Sequence, residues 1–301
     1  MDRGPVLRAV LALALLLALA GTSAFAASPA ERQANGIIAF LTDFGTRDFY
    51  AGAIKGVALS AFPEARLVDI THEIEPYNVR EGAITLLLAA REFPAGTTFV
   101  AVVDPGVGTE RRPILLTTRD GKFFLAPDNG LLTLVMQEFG VESVRQITNR
   151  DYWRPGPTSS SFHGRDIFTP TAARIASGWP AANVGPEITD YVTLDITPAR
   201  REGETLRGEV VLIDFYGNLQ TNIAAGLVRE LGLTFGDRVR VSVGEKSVES
   251  VFVNTYGDVP EGDHLIFLAS TDLLEISINM GSAQDYFQAD LGSPVIIERL
   301  P

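Results

Sequence analysis

Short apolar runs alternate with longer stretches of helical spacing over the first half of the chain. Residues 37–41 (IIAFL) form a strand-length apolar run, and residues 50–62 (YAGAIKGVALSAF) carry small and apolar side chains at helical intervals before Pro63 stops them. A second strand follows at 66–70 (RLVDI), a second helix at 79–93 before Pro94, and a third, almost wholly apolar strand at 98–103 (TFVAVV). A strand without polar alternation fits a sheet covered on both faces. Segments 113–118 and 122–126 flank Asp120-Gly121, a hairpin signal, and 129–139 and 165–178 read as further helices. The order predicts an α/β class with an N-terminal, three-layer, mostly parallel sheet.

The texture changes after about residue 189. Segment 197–203 is rich in Pro, Gly and charge, and short alternating segments follow at 207–213, 238–243, 247–253, 264–268, 273–278 and 294–299. Gly, Asp and Asn turns between them predict a small C-terminal all-β barrel. The expected organisation is an α/β domain over 36–190, a linker over 191–203 and the β domain over 204–301. The first 26 residues read differently. Arg3 and Arg8 precede an unbroken apolar run at 9–20, and Ala24-Phe25-Ala26 offers small residues at a cleavage site. This is a secretory signal pattern, followed by a tail over 27–35, and it predicts export to the periplasm or beyond. The run is short for a membrane span, and no later stretch approaches one.

Composition narrows the chemistry. The 301 residues include no Cys, which removes disulfides, thiolate metal sites and cysteine nucleophiles. A net charge of −12 argues against a nucleic-acid partner. No Gly-x-Gly-x-x-Gly opens a helix, no P-loop ending is present, and no Gly-x-Ser-x-Gly supplies a serine nucleophile.

Four apolar runs end in aspartate, at Asp43, Asp104, Asp128 and Asp214. The carboxyl ends of parallel strands line one crevice, so the first three are candidates to converge; as single residues they also read as turn or cap residues. Asp104 heads the glycine-containing loop Asp104-Pro105-Gly106-Val107-Gly108, and Arg111 follows seven residues after it, a spacing that allows a charged pair. Of the three histidines, His163 stands at a helix entry, where imidazole can exchange a proton near neutral pH, while His72 and His264 read as structural. Asp214-Phe215-Tyr216-Gly217-Asn218 combines a carboxylate, aromatic faces and an amide, a set suited to a charged, partly planar ligand. A metal-assisted phosphoesterase built on Asp43, Asp104, Asp128 and His163 is a competing reading.

Taken in order, these stretches resemble the S-adenosylmethionine hydroxide adenosyltransferases, relatives of the fluorinase and chlorinase enzymes. The matching residues are Thr42-Asp43-Phe44-Gly45 with Asp48, Gly52 and Lys55-Gly56; Val68-Asp69-Ile70-Thr71-His72; Val103 to Thr109 with Arg111; Ala126-Pro127-Asp128-Asn129-Gly130; Phe162-His163-Gly164-Arg165-Asp166; and Asp214, Gly217-Asn218 and Thr221-Asn222. The resemblance implies hydrolysis of S-adenosyl-L-methionine to adenosine and L-methionine, with Asp104, Arg111 and His163 as catalytic residues. It implies that Asp43 holds the ribose, that Asp214 and Asn218 hold the methionine portion, and that Ser270 and Asn279 lie near the methionine and adenine groups. It further implies no metal, no cofactor, and a homotrimer with sites between subunits. Halide as nucleophile, or ligand binding without turnover, are the alternatives. The fluorinase's inserted loop has no counterpart between 118 and 122, and fluorinase-like enzymes lack an acid at the position of Asp104; both points favour water.

Overall fold

The computed structural model describes residues 33–301, and the expected signal segment over 1–26 lies outside the described residues. The first sheet has the order β2-β1-β3-β5-β4-β6. Its strands are β1 (Ile37–Thr42), β2 (Arg66–Thr71), β3 (Thr98–Val102), β4 (Pro113–Thr118), β5 (Phe123–Pro127) and β6 (Val141–Gln146). Strands β2, β1, β3 and β5 run parallel, and β4 is antiparallel to both of its neighbours. Strands β1 and β3 to β5 are buried almost throughout, as two-sided cover requires.

Helices α1 (Tyr50–Ala61) and α4 (Thr169–Ala176) cover one face, where Ile54, Ala58, Ala172 and Ala173 meet Phe40, Val100 and Leu125. Helices α2 (Val79–Ala90) and α3 (Thr133–Phe139) cover the other, where Ala83, Leu86 and Val135 meet Leu41, Phe99 and Phe124. The predicted three-layer arrangement is therefore present, with two differences in the helices. Helix α3 starts at Thr133 instead of 129, because the Asn129 side chain turns back to donate to the Val103 carbonyl (2.8 Å). The helix expected over 165–178 is divided into a π-helical turn, Gly164–Phe168, and α4. Pro170 has no N–H to give the Asp166 carbonyl, which accepts instead from the Arg154 N–H (3.0 Å).

The second sheet closes on itself. Strands β8 (Thr205–Ile213), β9 (Leu219–Ala224), β10 (Arg238–Val243), β11 (Lys246–Phe252), β12 (His264–Leu268), β13 (Leu273–Ile278) and β14 (Pro294–Arg299) form a seven-strand barrel through the β14–β8 pairing. A short strand, β7 (Arg200–Glu202), adds to the outside of β8. Leu206, Val210, Val241, Phe252, Ile266, Ile276 and Ile297 fill the interior. The sequence reading missed β6 and β9 and the helices α5 (Ala225–Leu231) and α6 (Ala283–Phe287). β6 (VESVRQ) and β9 (LQTNIA) are at least half polar, so neither carries a strong apolar run. Among the described residues, no helix is long and apolar enough to cross a membrane.

Candidate active site

Asp104 leaves the buried end of β3 and is met by Arg111 from the far side of the same loop. Arg111 Nε donates to Asp104 Oδ1 (2.9 Å), and its Nη2 donates to Oδ2, a bidentate pair. Both side chains are at least nine-tenths buried, and Arg111 also lies over the Phe168 ring at 5.4 Å. The loop closes tightly because Gly108 has φ +78°, and a Cβ there would stand 2.3 Å from the Ser160 carbonyl oxygen. Glycine at 108 thus lets the Asp104–Arg111 loop touch the segment that carries His163.

His163 completes the cluster. Arg111 Nη2 lies 2.9 Å from His163 Nδ1, and since a guanidinium can only donate, Nδ1 must accept. The imidazole is therefore the neutral tautomer with its proton on Nε2. Burial, and next the Arg111 charge, depress the His163 pKa below its ordinary 6.5, in agreement with that assignment.

Asp43 follows the end of β1. Its Oδ2 accepts from the Tyr77 N–H (3.0 Å), and Tyr77 adopts a left-handed φ of 70° to present that group. Burial raises the Asp43 pKa, the Tyr77 hydrogen bond opposes this, and the Asp104 charge adds to the rise, so the two acids share one electrostatic environment. Behind Asp43 runs a directional chain. Lys55 and His72 Nε2 both contact the Asp69 carboxylate (2.5 and 3.2 Å), Thr42 Oγ1 lies 2.8 Å from His72 Nδ1, and the Phe44 N–H donates to Thr42 Oγ1 (3.2 Å). Phe44 meets Phe162 edge-on at 5.9 Å, joining the Asp43 loop to the His163 turn.

The structure thus brings Asp43, Asp104, Arg111 and His163 together. Asp128 serves another purpose: it is buried, pairs with Arg112 (2.6 Å) and accepts from the Val192 N–H (2.8 Å), pinning the chain that leads to the barrel. With Asp104 committed to Arg111 and Asp128 to Arg112, the four-residue phosphoesterase arrangement is not formed. Among the described residues, no group of three or more His, Asp or Glu is placed to hold a metal. His264 packs against Tyr286 at 4.3 Å, as a structural residue does.

The barrel carries a second cluster. Asp214 Oδ1 accepts from the N–H groups of Tyr216 and Asn218 (both 2.9 Å), and Oδ2 accepts from Asn218 Nδ2 (2.8 Å). Gly217 (φ +80°) makes this turn, and a Cβ there would lie 2.3 Å from Ser282 Oγ. Asn279 donates to the Val259 carbonyl (2.8 Å), and Ser270 is exposed at the β12–β13 turn. Among the described residues, no hydrogen bond joins this cluster to the Asp104 cluster. Sequence reasoning missed Tyr77, whose contribution is a backbone group, and also Tyr256, Glu275 and Gln220. The one signal for Glu275 was an acid inside a mostly apolar strand, LLEISI.

Comparisons with known proteins follow the same division. Residues 38–185 match the SAM hydroxide adenosyltransferase N-terminal domain, and residues 208–296 match the C-terminal domain. The (R)-S-adenosyl-L-methionine hydrolase of Salinispora tropica is 38% identical over 251 residues, covering 82% of this chain and 92% of that protein. A fluorinase of Actinopolyspora mzabensis is 29% identical over 294 residues, covering 87% of this chain and 97% of that protein. The crystal structure of an uncharacterized conserved protein from Thermotoga maritima superposes with a TM-score of 0.85 at 41% identity, covering 87% of this chain and all of that one. With both family domains matched in order, and with hydrolase relatives well above 30% identity, the chain belongs to the SAM hydroxide adenosyltransferase family.

Proposed function

We propose that the protein hydrolyses S-adenosyl-L-methionine to adenosine and L-methionine, with Asp104 receiving the proton of the attacking water. The observation that carries the mechanism is the bidentate Asp104–Arg111 pair capped by His163. The substrate is a sulfonium, so methionine leaves as a neutral thioether and needs no proton. A C–O bond forms at ribose C5′ as the C–S bond breaks, and the electron pair of that bond stays on sulfur. The water oxygen becomes strongly acidic as it bonds to carbon, so an ordinary carboxylate suffices to take its proton. His163 Nδ1 is occupied by Arg111, which leaves Nε2–H as a donor that can hold the water oxygen. Holding the reactants in line is the larger effect, since effective molarities correspond to roughly 7–11 kcal/mol. Asp43 anchors the ribose, and Asp214, Asn218, Ser270 and Asn279 bind the other parts of the substrate. No step requires a metal or a cofactor.

Water is favoured over halide. A carboxylate beside the reacting carbon repels an incoming anion, and β4 passes to β5 through only residues 119–122. The active assembly is a homotrimer with each site shared between neighbouring subunits. Its support is the exposure of Phe49, Tyr77, Phe215, Tyr216 and Met280, which adjoin the two clusters and call for a covering surface. The segment over 1–26 supports export, and N-terminal sequencing of the secreted protein tests cleavage after Ala26.

The test is chromatography of purified protein incubated with S-adenosyl-L-methionine in H2¹⁸O, with chloride and fluoride as competitors. Both sulfonium epimers are supplied, since the relatives' name specifies the R form. Adenosine carrying ¹⁸O at the 5′ oxygen is expected. Absence of adenosine, or halogenated nucleoside in its place, overturns the proposal.

A further inference from the structure

The Asp214 cluster continues inward to a buried acid that no catalytic role uses. Glu275, on β13, is 3% exposed, and among the described residues it has no cationic partner. Three neutral donors converge on it instead: Tyr256 OH (2.7 Å), Ser277 Oγ (3.0 Å) and Gln220 Nε2 (3.2 Å). The acceptor-only carboxylate turns the Gln220 NH2 toward itself, and Gln220 Oε1 in turn accepts from Thr271 Oγ1 (3.2 Å).

Donor counting then carries the orientation outward. A carboxylate only accepts, so the single hydroxyl proton of Tyr256 is committed to Glu275. Burial, and next the Glu275 contact, push the Tyr256 phenol well above its ordinary pKa, so that proton stays in place. The Tyr256 oxygen can therefore only accept, and it lies 3.3 Å from Asn218 Nδ2. The other hydrogen of the same NH2 goes to Asp214 Oδ2 (2.8 Å). Both amide hydrogens of Asn218 are thus consumed inside the cluster, and its Oδ1 accepts from no described residue. What these two side chains leave for a ligand is the Asn218 carbonyl oxygen and the spare lone pair of Asp214 Oδ2, both acceptors.

We infer that Glu275 is a positioning residue which, through Tyr256, locks the Asn218 amide so that this corner recognises an amine N–H donor of the substrate. The inference rests on the functional reading above. S-adenosyl-L-methionine carries two such donors, the α-ammonium of its methionine half and the 6-amino group of its adenine. Both present the same chemistry, and the test separates them.

The measurement is kcat/KM for S-adenosyl-L-methionine, its desamino analogue and its 6-oxopurine (inosyl) analogue. In the unaltered protein, one analogue is expected to be worse by roughly 10- to 100-fold, the range for a lost hydrogen bond to a charged group. In Glu275→Gln, whose amide can donate to Tyr256 and free Asn218 to turn, that penalty is expected to shrink to within about threefold. Tyr256→Phe should do the same, and the double variant should add nothing further. A merely structural role would lower kcat/KM for all three substrates by one factor and leave the ratios intact. Ratios unchanged in either folded variant, or no penalty for either analogue in the unaltered protein, overturn the inference. Calorimetric titration with adenosine against inosine, and with L-methionine against 4-(methylthio)butanoate, reads the same selectivity without turnover. Failure of hydrolysis is thereby distinguished from failure of the amine-recognition device.

Discussion

Arg111 serves two residues at once, holding the Asp104 carboxylate through two nitrogens and His163 through one of them. Asp104→Asn removes the proton acceptor while keeping its shape, so kcat is expected to fall by about 10²- to 10⁴-fold with KM much less affected, the usual weight of a positioned general base. Single-turnover kinetics check this, and a KM effect as large as the kcat effect would reassign Asp104 to binding. The pH dependence has a definite sign. His163 must stay neutral to accept from Arg111, and its pKa lies below 6.5; Asp43 must stay ionised to accept ribose hydroxyls, and its pKa lies above 3.8. A plot of kcat/KM against pH should therefore hold through neutrality and fall on the acid side as His163 and Asp43 take up protons. In His163→Asn the imidazole's share of that limb should vanish, leaving Asp43's. The Asp104–Arg111 pair was legible because seven residues around a glycine-containing loop bring the two back together. Glu275 was not, because a lone acid in a strand reads alike whether it faces the solvent or is buried against a tyrosine hydroxyl.

At the scale of elements, the Asp104–Arg111 loop and the His163 segment meet because residue 108 has no side chain. Gly108→Ala places a Cβ against the Ser160 carbonyl at a left-handed φ, so the segments must separate. Such strain costs of order 1–3 kcal/mol, about 2–5 °C in Tm for a chain of this size, and calorimetry should show it together with a larger loss of kcat. The Lys55–Asp69–His72–Thr42 chain plays the matching part for Asp43, and His72→Ala leaves Asp69 and Thr42 short of a partner. That substitution is expected to cost about 1–3 kcal/mol and to raise KM for the intact substrate, while adenosine inhibition weakens in parallel. Most strands were legible from their apolar runs, and β10, β12, β13 and β14 begin and end where the alternation does. Polar strands escaped, since β6 and β9 owe their place to pairing with neighbours and not to their own pattern. The π-helical turn beside His163 escaped for a related reason: Pro170 marks where α4 begins, but only tertiary partners decide how the preceding turn is wound.

The whole molecule divides its chemistry between a parallel-rich sheet that carries Asp43, Asp104, Arg111 and His163 and a closed barrel that carries Asp214, Asn218 and Glu275. The proposed substrate has a nucleoside end and an amino-acid end, and in the proposed trimer the barrel half of each site would come from the next subunit. Mixing distinguishes this from a site made within one chain. Asp104→Ala spoils only the sheet half and Asp214→Ala only the barrel half, so each variant alone is expected to be nearly inactive. Unfolded together in equal amounts and refolded, they redistribute at random. In a ring of shared sites, about one site in four then combines an intact sheet half with an intact barrel half, and activity should return to about a quarter of the unaltered level. Sites built within single chains would stay dead at any mixing ratio, because every chain carries a damaged half. Light scattering on the same refolded sample gives the subunit number against the 32.5 kDa chain, so a trimer without complementation would separate assembly from site sharing.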